Sequence, residues 1–331
     1  MEKLKKCLIC GGNGFIGHHL ARSLKAKGYF VRVADIKPYE YGDPYEFSNE
    51  NLLLDLRIPG NCRRALITDN AYTSSFDEVY QLAASMGGMG FIHSAECEIL
   101  HNNVLINTNM VHACAEAKVP RYFYSSSVCI YPDMAIGADV MTEDEAYPAM
   151  PDNEYGWEKL FSERMGMAYG RKYGMEVRIA RFQNCYGPEG TWKGGKEKAP
   201  AAISRKIATV SNPGEIEIWG DGTAVRSYTY IDDLVRGIYM LTQSNIDKPT
   251  NIGSPQYVSV KELVNTVAEV AKKKITTKSI PGPVGVESRN FSNERIYSTG
   301  WSSKVSLFDG IIKTYPWILE QVNKEQHAKI D

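Results

Sequence analysis

"ICGGNGFIGHHLARSL", residues 9–24, decides the fold. Gly11, Gly14 and Gly17 follow a short apolar run and open a helix. Without Cβ atoms, such a turn can bring backbone amides and the helix N-terminus against a pyrophosphate, whose charge the helix dipole favours. Phe15 and Ile16 lie inside the same turn and share in that contact. Asp35 ends the next apolar run, eighteen residues beyond Gly17. A carboxylate there can accept hydrogen bonds from both hydroxyls of an adenosine ribose and repels a 2′-phosphate, which predicts NAD over NADP. Lys37 lies close enough to soften that preference, and the plain alternative for Asp35 is a solvated acid at a strand end.

Outward from this turn, the first half of the chain alternates short apolar runs with helical patterns, the signature of an α/β protein. The strand candidates are residues 7–10, 30–35, 51–56, 78–84, 121–127 and 176–181. Beyond residue 186 the pattern is less regular, and "GPEGTWKGGKEKAP" (187–200) and "IPGPVGVESRN" (280–290) are too long for simple turns. Ser259 and Glu262 form a capping box ahead of Leu263, Val264, Val267 and Val270, an amphipathic helix. Pro316 interrupts "LFDGIIKTYPWILEQV" (307–322), so a bent or split C-terminal helix is expected. Trp192, Trp219, Trp301 and Trp317 read as core or loop-anchoring aromatics without chemistry. No repeat or low-complexity tract separates two independent halves.

Composition excludes several classes. The 331 residues carry 38 basic against 39 acidic side chains, for a net charge of -1, which advertises neither nucleic acid nor a membrane surface. The apolar run near the N-terminus is too short for a signal or a membrane span, and a cytoplasmic protein is expected. Seven scattered cysteines, an odd number, argue for free thiols rather than a disulfide framework. Cys7 and Cys10 are spaced as C-x-x-C, but on a strand they face opposite sides. The six histidines have no metal-ligand spacing, so no metal site is expected.

The G-x-x-G-x-x-G pattern resembles the extended branch of the short-chain dehydrogenase/reductase superfamily. "YGWEK" (155–159) agrees, because Tyr155 and Lys159 at i and i+4 share one helix face. A tyrosine of pKa about 10 is a poor base at neutral pH, but an adjacent ammonium and a cationic nicotinamide favour its phenolate. The resemblance also implies a Ser or Thr at a strand end beside the tyrosine, and Ser127 in "YSSSVCIYP" (124–132) matches it. Val128 and Cys129 stand where dehydratases of the superfamily carry an acid pair, which argues against elimination of water.

Within that superfamily the chain resembles the GDP-mannose 3,5-epimerase family over nearly its whole length. "AASMGGMGFI" (83–92), "SSSVCIYP", "YGWEK", "RFQNCYGPEGTWKGGKEKAPAA" (181–202), "WGDGTAVRSYTYIDD" (219–233) and "IPGPVGVESRN" carry the likeness in the same order. The resemblance implies a Rossmann-like doubly wound parallel sheet with a smaller C-terminal nucleotide-sugar-binding lobe. It assigns residues 1–185, with about 226–250 returning, to the NAD domain, and 186–225 and 251–331 to the substrate lobe. It implies Ser127, Tyr155 and Lys159 as the redox set and Cys129 with Lys198 as an acid/base pair. Asp55 and Leu82 join the cofactor residues. Gly87, Gly88, Met89, Asn184, Arg226 and Arg289 would contact the nucleotide sugar, and the subunits would pair as a homodimer. Gln183 stands where the family is expected to carry histidine.

The residues make chemical sense of this without the likeness. Oxidising C4 of a hexose to a ketone makes the hydrogens at both C3 and C5 acidic, and inversion then needs one group on each face. A thiol of pKa about 8.5 suits the base and a lysine of about 10.4 the acid. Other readings stay open: Cys129 as a small buried hydrophobe, Lys193 or Lys196 in place of Lys198, and Arg226 or Arg289 in structural ion pairs. At the level of function, a 4-epimerase, a single-centre epimerase and a silent NAD-binding regulator are the alternatives.

Overall fold

Residues 6–10 form the first strand, β1 (Lys6–Cys10), and the turn after it leads directly into helix α1 (Phe15–Ala26). This computed structural model describes residues 4–67, 76–132, 139–282 and 290–328. The remaining strands are β2 (Phe30–Asp35), β3 (Glu50–Leu53), β4 (Glu78–Gln81), β5 (Arg121–Ser127), β6 (Glu176–Phe182), β7 (Asn184–Tyr186), β8 (Gly214–Trp219), β9 (Val225–Tyr230), β10 (Thr250–Ile252), β11 (Tyr257–Ser259) and β12 (Ile275–Ile280). The helices are α2 (Pro59–Leu66), α3 (Met89–Ser94), α4 (Glu96–Glu116), α5 (Glu154–Tyr173), α6 (Ala199–Thr209), α7 (Ile231–Gln243), α8 (Val260–Ala271), α9 (Glu294–Tyr297) and α10 (Leu307–His327).

Seven strands make one sheet in the order β10-β6-β5-β4-β1-β2-β3, with every neighbouring pair parallel. A parallel sheet must be covered on both faces. One core includes Leu20, Leu24, Leu234 and Ile238 of α1 and α7, and the other includes Cys62, Leu66, Met110 and Cys114 of α2 and α4. Along β1, Cys7 and Ile9 enter the first core and Leu8 and Cys10 the second, so the C-x-x-C cysteines are on opposite faces. Burial pushes both thiols well above the ordinary range. The chain reverses its direction of travel across the sheet between β1 and β4, the switch point at which such folds open a crevice.

Two candidate strands are shorter than their apolar runs. The edge strand β3 stops at Leu53; Leu54 still donates to the Asp35 carbonyl at 2.8 Å, and the chain then turns toward α2. β4 stops at Gln81, and after Leu82 donates to the Cys10 carbonyl at 3.0 Å its continuation becomes the crevice wall. The later chain adds two small sheets, β11-β9-β7 and β12-β8, packed with α6, α8 and α10. Between them α7 packs on α1, and β10 pairs with β6, returning the chain to the large sheet. The capping box forms at α8, where Ser259 Oγ accepts from the Glu262 amide.

The C-terminal helix is not split, which corrects that half of its expectation. α10 runs unsplit from Leu307 to His327 with Pro316 inside it. Ile311, Tyr315, Ile318 and Val322 are buried on one side, and α10 packs against α6 and α8 while Pro316 faces outward. That burial outweighs the roughly 3 kcal/mol that an interior proline costs a helix.

Candidate active site

The glycine turn is shaped by close approach. A Cβ at Gly17 would lie 2.1 Å from the Gly11 carbonyl oxygen, so only glycine lets α1 start this near the end of β1. Gly14 precedes α1 with no side chain capping it, leaving the first amides of the helix available to an anion. Gly11, Gly14, Phe15, Ile16, Gly17 and Leu82 all line a cavity of about 320 Å³. These features fit a dinucleotide pyrophosphate. Asp35 stands just behind the turn, its carboxylate accepting from the amides of Asn13 (3.0 Å) and Lys37 (3.1 Å). Burial raises its pKa against those two amides. Lys37 reaches Glu40 at 2.5 Å, so its charge is already engaged by a carboxylate. Asp55 does not line the cavity; Arg57 grips it through Nε and Nη2.

Ser127, Tyr155 and Lys159 meet at the end of β5 and the first turns of α5. Asn153 caps α5 by accepting from the Gly156 amide at 2.9 Å. Lys159 Nζ donates to the Ser125 carbonyl at 3.0 Å and lies 5.6 Å from the centre of the Tyr155 ring. Burial raises the Tyr155 phenol well above its ordinary value, with the Cys129 thiol and Glu158 adding to it and a Ser127 hydrogen bond opposing it. Burial likewise lowers the Lys159 ammonium, while Glu158 and Glu163 support its charge.

Beneath this trio lies buried polar bracing. Glu158 accepts from Asn107 Nδ2 at 2.6 Å and from Ser162 at 2.9 Å, and Gln81 donates to Asn107 at 2.8 Å. Glu163 accepts from Ser126 at 2.5 Å and from Arg181 at 2.8 and 2.9 Å, and Arg181 continues to the Tyr131 hydroxyl at 2.8 Å. Sequence reasoning missed these residues. The one signal is that acids at 158 and 163 sit beside the Lys159 face of a helix that must be buried on several sides.

Cys129 follows in a single 3-10 turn, Val128–Ile130, which Ser127 caps by accepting from the Cys129 amide at 3.1 Å. Its thiol is half-buried, next to Ile92, Ile99 and Tyr155. Gly156 fixes the turn against α5, since a Cβ there would fall 2.1 Å from the Cys129 carbonyl oxygen. Cys129 lines a second cavity of about 350 Å³, together with Gly87, Gly88, Met89, Asn184 and Arg226. Met86, Gly87, Ser127, Phe182, Gln183 and Lys198 line both cavities, so the two open on one seam. Gln183 is buried there, its carboxamide packed over Gly253. Arg289 lies outside the described residues.

Lys198 stands immediately before α6. Enclosure lowers its pKa, partly offset by the Cys185 and Cys129 thiols, although part of its surface still meets the cavities. Of the two neighbouring lysines, Lys193 pairs with Glu325 on α10, while Lys196 also lines the first cavity, its Nζ 4.1 Å from the centre of the Phe91 ring. Cys185 is a second thiol near Lys198, but burial pushes it up to about 12.

Four tryptophans fall at the core and along the cavities. Trp301 is core, but Trp192 and Trp317 line the first cavity and Trp219 the second. His18, His19 and Glu189 also come together, their ligand atoms within 4.8 Å of one another, which spacing along the chain did not reveal. The second cavity further contains Glu197, Arg205 and Lys206, with Arg205 Nη2 2.8 Å from Glu197.

The fold defines a dinucleotide-binding α/β class with a crevice between a large sheet and a smaller lobe. The chain belongs to the NAD dependent epimerase/dehydratase family, which it matches over residues 7–253, and NAD is that family's cofactor. It is 43% identical over 333 residues to GDP-mannose 3,5-epimerase 1 of Oryza sativa subsp. indica, covering 100% of this chain and 85% of the rice protein. It is 43% identical over 325 residues to GDP-mannose 3,5-epimerase of Arabidopsis thaliana, covering 97% of this chain and 84% of that protein. In fold it is similar to UDP-glucose 4-epimerase of Thermotoga maritima, with a TM-score of 0.85, 22% identity, and coverage of 96% of this chain and 99% of that one.

Proposed function

We propose that this chain epimerises GDP-mannose at C3 and C5, giving GDP-L-galactose, and GDP-L-gulose where only C5 inverts. The observation that carries the reading is the shared seam, with Tyr155 and Lys159 lining one cavity, Cys129 the other, and Ser127 and Lys198 both. The full-length similarity to two proteins named as GDP-mannose 3,5-epimerases supports the same substrate.

NAD, which the Gly11, Gly14 and Gly17 turn and Leu82 would hold, would supply a hydride acceptor for C4 and, when oxidised, a positive charge. Lys159 and that charge bring the raised phenol back toward the phenolate, which takes the C4 hydroxyl proton while Ser127 holds the oxygen. Cys129, as thiolate, removes the acidified proton from one face of the hexose. Lys198, as ammonium, delivers a proton from the other. Return of the hydride to C4, with Tyr155 giving its proton back to the C4 oxygen, would close a redox-neutral cycle. Asn184 and Arg226 hold the nucleotide end, where an arginine fork suits phosphate oxygens.

The fold also supports a homodimer through α4 and α5. These helices pack together, and α5 leaves Trp157 and Phe161 exposed at i and i+4. Light scattering of the parent and of Trp157→Glu tests this, with a loss of mass expected for the variant. Among the described residues no helix is long and apolar enough to cross a membrane, and all seven cysteines are free, in keeping with a cytoplasmic protein.

Product analysis with GDP-mannose in heavy water tests the reading. Solvent deuterium at C3 and C5 is expected. Deuterium at one centre alone would point to a single-centre epimerase, and a C4 epimer free of deuterium to a 4-epimerase.

A further inference from the structure

The cofactor cavity is bounded by the glycine turn and by parts of the chain far from it. Gly187, Gly190 and Trp192 come from the segment after β7, and Thr314 and Trp317 from α10. These parts are tied to the N-terminal half by a cluster centred on Glu189. The Tyr39 hydroxyl donates to Glu189 Oε2, which also lies 3.3 Å from Arg22 Nη2 and 3.0 Å from His18 Nε2. One residue further, the Gly190 carbonyl accepts from the Tyr41 hydroxyl at 3.3 Å. The Tyr41 ring then meets Trp317 edge-on, with centroids 5.2 Å apart. His18 and Arg22 belong to α1, while Tyr39 and Tyr41 belong to the loop that follows Asp35.

The backbone at Glu189 adds an argument. Its φ is +60°, a left-handed conformation that glycine adopts more cheaply, and glycines stand nearby at 187 and 190. A glutamate kept at that position implies a use for its side chain. His18, Tyr39 and Arg22 hold the carboxyl far below its ordinary range despite partial burial. The neighbouring imidazoles raise the question of a metal ion, and the donors present answer it. His18 Nδ1 lies 2.9 Å from the Gly14 carbonyl, His19 Nε2 lies 3.1 Å from the Pro188 carbonyl, and Glu189 Oε2 already serves Tyr39 and Arg22. These contacts engage His18 Nδ1, His19 Nε2 and Glu189 Oε2 within the protein, and His18 Nε2 faces the Glu189 carboxylate.

We propose that Glu189 is the hub of a clasp that closes the segment 187–198 and α10 over the bound dinucleotide, so that NAD leaves only when the clasp opens. The inference rests on the NAD-dependent reading above and deepens it. A cycle that returns its hydride needs no exchange of cofactor between turnovers, so slow release costs the reaction nothing. The clasp residues act on retention; none is placed at the reacting carbons.

The test is the rate at which NAD leaves the purified holoenzyme after dilution into an enzyme trap that consumes free NAD, with NAD content per subunit measured first. Glu189→Gln keeps the shape but removes the charge, and should release NAD about tenfold or more faster, as expected when charge-assisted bonds that slow dissociation are lost. Tyr41→Ala, which cuts the tie to Gly190 and Trp317, should speed release several-fold. Tyr39→Phe added to Glu189→Gln should add little, because both cut one contact. Release from both Glu189→Gln and Tyr41→Ala within about twofold of the parent would overturn the clasp. If Glu189→Gln does not fold, Tyr41→Ala decides alone. A parent protein that neither carries nor takes up NAD would overturn the cofactor reading itself, a result distinct from bound NAD released at an unchanged rate.

Discussion

Ser127, Tyr155 and Lys159 stand on a strand and a helix cross-braced by Asn107, Glu158, Glu163 and Arg181, whereas Cys129 and Lys198 stand on a single 3-10 turn and on the residue before α6. The first group shares one rigid packing unit. The second comes from two separate parts of the fold that both line the second cavity. Hydride transfer tolerates little misplacement, and the bracing serves that demand. Inversion at C3 and at C5, the two carbons flanking C4, asks instead for groups on opposite faces of the ring, which separate elements can provide.

That contrast can be broken at several points. Removing the phenol should have the largest effect, because every later step needs the ketone at C4. Tyr155→Phe is expected to lower kcat by about 10³–10⁴-fold, and reduced nicotinamide should never accumulate on mixing with GDP-mannose. Lys198→Met should cost about 10²–10³-fold in epimerisation while leaving that reduction detectable by near-ultraviolet absorbance. Because enclosure lowers the Lys198 pKa, its ammonium is lost below 10.5 as pH rises, and kcat should fall there. A pH profile that stays level up to the ordinary lysine range contradicts the acid role.

Smaller effects probe the joint between the two groups. Gly156→Ala places a methyl 2.1 Å from the Cys129 carbonyl oxygen, so the turn must shift away from α5. We expect a loss of about 1–3 kcal/mol in stability, read by denaturant melting, with a drop in solvent deuterium exchange larger than the drop in cofactor reduction. Lys193→Ala cuts an exposed ion pair with Glu325 and should change stability by less than about 1 kcal/mol, with epimerisation unaffected. Strong inactivation by that variant would reassign the acid to Lys193.

The same contrast explains what could be read from the sequence. The glycine turn, the alternation of strands and helices, and the Tyr155 and Lys159 spacing are local signals, and each reappears in the fold where it was expected. The unsplit α10 was not legible, because the packing that carries Pro316 through the helix comes from α6 and α8, which end forty-five or more residues before Pro316 on the chain. For the same reason the cavity roles of Trp192, Trp219 and Trp317, and the meeting of Glu189 with Tyr39 and His18, carry no local pattern. Cys129 and Lys198 lie sixty-nine positions apart; only the likeness to known sequences paired them, and the fold brings them to one cavity. Lys198 and Lys196 both line the first cavity, whereas Lys193 pairs with Glu325.

The central claim is a division of labour between hydride and proton chemistry, and one variant tests it most directly. Cys129→Ala combined with Lys198→Met is mixed with GDP-mannose in heavy water, and reduced nicotinamide and deuterium in the recovered sugar are measured together. The account predicts reduced nicotinamide with no deuterium at C3 or C5. Deuterium at either carbon, or the absence of any cofactor reduction in a folded protein that retains NAD, would contradict it.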